Sequence, residues 1–198
     1  MNELVEKYVG LLDEEAYYIG KDGKPWAHSA HGCSKVRYDK AKEQVTKEKV
    51  SRDKIIEMVT SFLEKAKIKT TTEPVYNPQQ INYAEIKKQF GLESESDLVW
   101  MKFTEDGYLG VVAASNDINF DFPESEKEYT QRKENGWKRN TSGILVHSVG
   151  KKWNKKFVLV FPLANIPDGY TKFEIEEAIG NLLLANNIPI IDYYSHVY

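Results

Sequence analysis

The chain has 198 residues and a net charge of −3, with 41% hydrophobic, 29% charged and 12% aromatic residues. Twenty-four aromatic side chains (4 Trp, 12 Tyr, 8 Phe) carry too much apolar area to stay in water, which excludes a disordered chain. The mildly acidic balance argues against a dedicated duplex-DNA binder, usually strongly basic, while leaving room for a local basic patch.

Residues 2–18 place Leu4, Val5, Tyr8, Val9, Leu12 and Ala16 at helical spacing, and Gly20 to Pro25 then supply turn residues. Residues 36–50 are highly charged and read as a solvated helix. A cleaner helix follows over 51–67. Ser51 is placed to cap it and Asp53 stands in its first turn, where free N–H groups favour an oxygen and a negative charge. Its buried stripe is Ile55, Ile56, Val59, Phe62, Leu63 and Ala66. Residues 69–81, rich in Thr, Asn and Gln and broken by Pro74 and Pro78, read as a linker between a helical region, 1–68, and an α+β region, 82–198, unless the whole is one domain. A short helix is expected over roughly 82–90, capped by Gly91.

The period then changes to that of strands. Residues 97–104 and 109–115 are β-rich runs joined by Glu105-Asp106-Gly107-Tyr108, where glycine accepts positive φ without a Cβ clash, so a tight hairpin is expected. Residues 143–149 and 156–164 read as a second hairpin around Gly150 to Asn154. The unbroken apolar run Val158 to Phe161 points to a strand covered on both faces. Thr171 and Glu174 form a capping box, with Tyr170 and Ile175 as its staple, so a helix starts there. Phe173, Ala178, Ile179, Leu182 and Leu183 are read as its inner face, and Asn186-Asn187 as its end. Residues 188–194 read as a last strand, with Pro189 at its start. The expected fold is α+β: a helical N-terminal part, then a mostly antiparallel sheet of four to five strands with the C-terminal helix packed on it.

Four constellations bear on chemistry. His28, His31 and Cys33 are ligand types that suit zinc, but their spacing matches no standard zinc pattern, so they are read as loop residues and no metal is expected. Cys33 as a nucleophile needs a base or a positive field from elsewhere in the fold. On a C-terminal strand Asp192 and His196 would share a face, as a carboxylate that orients a general base requires. The fourth is the most concrete. Residues 130–156 hold Arg132, Lys133, Lys138, Arg139, Lys151, Lys152, Lys155 and Lys156 against the single acid Glu134, with Trp137 and Trp153 interleaved. Cations match phosphates and aromatic rings match unstacked bases.

The expected function is therefore a non-catalytic binding or regulatory protein that takes nucleic acid or an acidic protein through Arg132, Lys133, Trp137, Lys138, Arg139, Lys151, Lys152 and Trp153. The alternatives are a protein–protein interaction module without an anion site and a small enzyme centred on Cys33 or the Asp192/His196 pair. The sequence holds no phosphate loop, dinucleotide glycine pattern or nucleophile elbow, and no cofactor is expected. The acidic start, unlike a signal peptide, the single cysteine and the lack of a long apolar run favour a soluble cytoplasmic protein, away from any membrane.

Overall fold

Asp106-Gly107 closes a hairpin because Gly107 adopts φ +95°, which a side chain would resist. In the computed structural model this hairpin joins two of three long antiparallel strands. The residues described are 2–11, 18–19, 25–26, 35–70, 73–76, 85, 88, 97–115 and 141–192. In chain order the elements are helix α1 (Glu3–Glu6), the short antiparallel pair β1 (Tyr18–Ile19) and β2 (Pro25–Trp26), helices α2 (Lys35–Gln44) and α3 (Arg52–Lys65), strands β3 (Glu73–Tyr76), β4 (Asp97–Phe103) and β5 (Leu109–Ser115), helix α4 (Thr141–Ser148), strand β6 (Phe157–Leu163) and helix α5 (Lys172–Ala185).

Strands β4, β5 and β6, seven residues each, form the antiparallel sheet, and the four-residue β3 extends it in the order β3-β6-β4-β5. Val99 lies opposite Phe161 on one side and Ala114 on the other. Both faces of the sheet are covered. On one face Val99, Met101, Phe103, Leu159 and Phe161 pack against α1, α3 and α5 through Val5, Ile55, Val59, Phe62, Ile175, Ile179 and Leu183. On the other, Leu98, Val111, Val158 and Val160 meet Ala41 of α2 and Leu145 and Val146 of α4. The apolar run of β6 is thus split, alternate residues serving opposite cores, as its sequence suggested.

The mixed α and β class with an antiparallel sheet stands, and so does the C-terminal helix packed on it. The Ser51 side chain accepts from the Lys54 N–H at 3.3 Å. The Thr171/Glu174 capping box is complete, and the bonds from Thr171 hold the Glu174 carboxyl below its usual range against the opposing effect of burial. Of the five strands expected, three form. Residues 141–148 are helical: Leu145, Val146 and Val149 recur on one helical face over the second core, and Gly150, at φ +73°, ends the helix instead of turning a hairpin. Strand β6 accordingly pairs with β4 and β3. Residues 188–192 make one parallel bridge, Ile190 with Leu109, and no strand among the described residues.

The first helix stops at Glu6, and the chain turns away through Gly10 at φ +74°. Helix α2 is not wholly solvated, since Ala41 and Gln44 are buried. Within the segment read as a linker, residues 73–76 are strand β3. Phe173, expected inside, is 53% exposed, and Leu182 is half-buried. The helix expected over 82–90 falls almost wholly outside the described residues.

Candidate functional site

The loop from Gly150 to Lys156 links α4 to β6 and is strapped across the end of the first hairpin. The Glu105 N–H donates to the Lys152 carbonyl at 2.9 Å, and the Asn154 N–H to the Phe103 carbonyl at 2.8 Å. This strand-like pairing, with Thr104 bridged to Trp153, sends neighbouring side chains to opposite sides. Lys152 is exposed, whereas Trp153 is 3% exposed and belongs to the second core. Its ring lies over Gly110, where a Cβ would stand 2.3 Å from Cζ3. The indole is a packing element and offers no open face for a base to stack on.

Beside this loop lies a cleft of about 490 Å³, walled by residues 49–53, the hairpin turn, Asn154 and Phe157. The N-terminus of α3 opens into it, with Arg52 over the Phe157 ring at 4.6 Å. Helix α3 projects at this end because Ser51 breaks from the preceding segment in extended backbone and caps it. Two cation runs distant in sequence, Lys47, Lys49, Arg52 and Lys54 in one and Lys151, Lys152, Lys155 and Lys156 in the other, meet at the hairpin turn: Lys49 and Arg52 line the cleft, and Lys49 and Lys151 both bond to Asp106 on its wall. The acids in these runs and in the turn are Glu48, Asp53, Glu105 and Asp106, so cations outnumber them eight to four.

Asp106 ties the two runs together. Its carboxylate pairs with Lys151 Nζ at 2.7 Å and accepts from the Thr104 hydroxyl at 2.6 Å. Its backbone carbonyl accepts from Lys49 Nζ at 2.7 Å. Partial burial pushes the Asp106 carboxyl up, but the bonds from Lys151 and Thr104 and the Lys151 charge outweigh it and hold it below the usual range. Both ammonium groups also lie over the Tyr108 ring, Lys151 at 4.7 Å and Lys49 at 5.7 Å from its centroid. The Tyr108 hydroxyl is placed to donate to the carbonyls of Val45 and Lys47, at 2.9 and 3.1 Å.

Of the sequence candidates, Lys151, Lys152 and Trp153 are brought together, two at the surface and one in the core. Arg132, Lys133, Trp137, Lys138 and Arg139 lie outside the described residues, as do His28, His31, Cys33 and His196. Asp192 is fully buried, its N–H donating to the Gly110 carbonyl at 2.9 Å. No group of three or more His, Cys, Asp or Glu side chains is placed to hold a metal among the described residues. Likewise, none of the described helices is long and apolar enough to cross a membrane.

Lys49, Arg52 and Asp106 were not singled out in the sequence, because their grouping arises only from the fold. Lys102 was passed over too, although its position in the period-two run Leu98, Trp100, Lys102 places it on a buried face. It is 2% exposed, 4.8 Å from the Trp100 ring centroid and 5.8 Å from that of Trp153, and burial pulls its pKa down to about 7. Comparison of the chain with protein-family models, with curated proteins and with solved structures finds no match.

Proposed function

We propose that this is a non-catalytic binding or regulatory protein of the cytoplasm that holds an anionic macromolecule, nucleic acid or an acidic protein, on the cationic surface around the cleft. The observation that carries the reading is that Lys49 and Arg52 line a cleft beside the end of a capped helix, while Lys151 of the second cation run is tied to Asp106 on the wall of that cleft. Concentrated positive charge on a rigid frame attracts polyanions at long range and releases their counterions on contact. Arg132, Lys133, Lys138 and Arg139 belong to the same basic stretch of sequence and extend the reading beyond the cleft. The burial of Trp153 takes away one of the two aromatic platforms that favoured unstacked bases, which shifts weight towards contacts with backbone phosphates or carboxylates.

The test is fluorescence-polarisation binding of short single- and double-stranded oligonucleotides and of an acidic peptide at two salt concentrations. Affinity should fall steeply with salt, and the double reversal Lys152→Glu with Lys156→Glu should weaken it by about tenfold or more at low salt, because both side chains are exposed and each reversal changes the local charge by two. Salt-insensitive association with another protein would instead support the interaction-module reading.

A further inference from the structure

The cation pair Lys49 and Lys151 already has an occupant, and its chemistry says what the site accepts. Asp106 sits at the tip of a tight turn and presents a carboxylate to Lys151 and a peptide carbonyl to Lys49, both at 2.7 Å. The aromatic floor beneath both ammonium groups is the Tyr108 ring. That is an acidic residue of a peptide seated on two lysines, at the edge of an open cleft. We infer that Asp106 is a built-in competitor for an acidic segment of a partner protein, which binds by taking Lys151 and Lys49 from the Asp106-Gly107 turn. The inference rests on the anion-binding reading above and names both the partner class and the restraint on the site.

The geometry permits the exchange. The Asp106 and Lys151 side chains are 43% and 22% exposed, so the pair is reached by solvent and is held by a fraction of its gas-phase attraction. The Thr104 hydroxyl remains to hold the displaced carboxylate through Oδ1, the oxygen that does not contact Lys151. A partner carboxylate therefore replaces an equivalent group, and the net gain comes from further acids meeting Arg52 on the cleft wall and the exposed Lys152, whose carbonyl is bonded to the Glu105 N–H next to Asp106.

The experiment uses the full chain with a labelled oligoglutamate peptide and, in parallel, a single-stranded oligonucleotide. Asp106→Asn keeps the acceptor for Thr104 and the carbonyl for Lys49 while removing the charge that competes. Glu105→Gln removes the same charge one residue away, from a side chain that takes no part in this cluster. Freeing a half-exposed pair of this kind should tighten oligoglutamate binding about three- to fivefold for Asp106→Asn. Glu105→Gln should change it by about 1.5-fold or less at 0.15 M salt. Equal effects of the two variants, or weaker binding by Asp106→Asn, would overturn the competitor and make Asp106 a residue that positions the lysines. Tightening seen only with the oligonucleotide would overturn the partner class. Absence of binding to either polyanion by wild type and both variants at low salt would sink the anion-binding reading itself. Should Asp106→Asn fail to fold, the Asp106 carboxyl resonance of the wild-type chain still decides: it should move on addition of oligoglutamate, and an unmoved resonance during binding overturns the exchange.

Discussion

Lys102 and Gly110 show how single residues set the second core. The Lys102 ammonium is buried beside two indoles, and its pKa falls from the ordinary lysine value of 10.5 to about 7. The sign of the consequence follows from linkage. Between about pH 7 and 10.5 the unfolded chain binds a proton that the folded chain does not, so stability rises with pH across this window. The slope reaches about 1.4 kcal/mol per pH unit at most. Below pH 7 both states are protonated and the cost of the buried charge is constant. Lys102→Met should therefore flatten the pH dependence of the urea midpoint between pH 7 and 9, and a variant with the wild-type slope would refute the assignment. Gly110 faces the opposite constraint. A β-carbon there would stand 2.3 Å from Cζ3 and 2.9 Å from Cη2 of Trp153, and 3.2 Å from the Lys102 carbonyl oxygen. Overpacking of this kind costs roughly 1–3 kcal/mol, so Gly110→Ala should lower the urea midpoint accordingly. Trp153→Phe withdraws the ring atoms that clash, and the double variant should be more stable than the sum of the two single effects predicts. The same packing explains why Trp153 could not be judged from sequence. Cations and aromatics interleaved in a chain do not reveal which side each faces, and here the bridge to Thr104 sends Lys152 outward and Trp153 inward.

Helices α3, α4 and α5 end in the same way. At each terminus a residue in left-handed backbone, Lys67 at φ +63°, Gly150 at φ +73° and Asn187 at φ +60°, lets the next N–H reach back to a carbonyl five residues earlier. Ile68 bonds to Leu63 at 2.9 Å, Lys151 to Val146 at 3.0 Å and Ile188 to Leu183 at 3.0 Å. Ile68 and Ile188 are then buried, so the termination also aims an apolar side chain at the core. A lysine in this conformation brings its Cβ close to the following carbonyl, which costs roughly 1–2 kcal/mol. Lys67→Gly should therefore raise the thermal midpoint of unfolding, the relief being partly offset by the greater entropy of glycine in the unfolded chain. Asn187→Gly should gain less, since asparagine tolerates this region. An unchanged or lower midpoint for Lys67→Gly would contradict the account. These endings also mark what could be read in advance. Asn186-Asn187 was legible as a helix end because a capping box and an apolar stripe preceded it. Gly150 was not, because the β-branched and apolar run before it suits a strand as well as a short buried helix, and both need a glycine next. Only contact with Ala41 and the second core settles the choice.

At the scale of the whole molecule, the elements that could be read locally, α3, the β4–β5 hairpin, β6 and α5, are those whose signals lie within their own residues: caps, a turn glycine and an apolar period. Their assembly was not legible, because it depends on contacts across the chain. Lys49 meets Asp106, and β3 pairs with β6 although Glu73 and Val160 are far apart in sequence. The candidate site shares this limit: half of its cations come from the stretch before and within α3, half from the loop before β6. The same long-range wiring bears on the division of the chain at 69–81. Val5, Ile55, Val59, Phe62 and Leu63 are buried in one cluster with Val99, Phe161 and Ile179. Two polar ties across the division reinforce it: the Gly10 N–H donates to the Glu177 carboxylate at 2.7 Å, and the Asn181 amide donates to the Tyr8 carbonyl. A fragment of residues 82–198 would leave the α1/α3 face of the sheet in water, at a cost of roughly 1.5–3 kcal/mol for each large apolar side chain uncovered. A domain's net stability is only about 5–15 kcal/mol, so losing a handful of such contacts is enough to unfold it. Fragments 1–68 and 82–198 expressed separately should show no cooperative thermal transition, and mixing them should restore one. Cooperative unfolding of 82–198 alone would mean that the sheet and α5 sustain a core without the N-terminal helices, and that 69–81 separates two independent units.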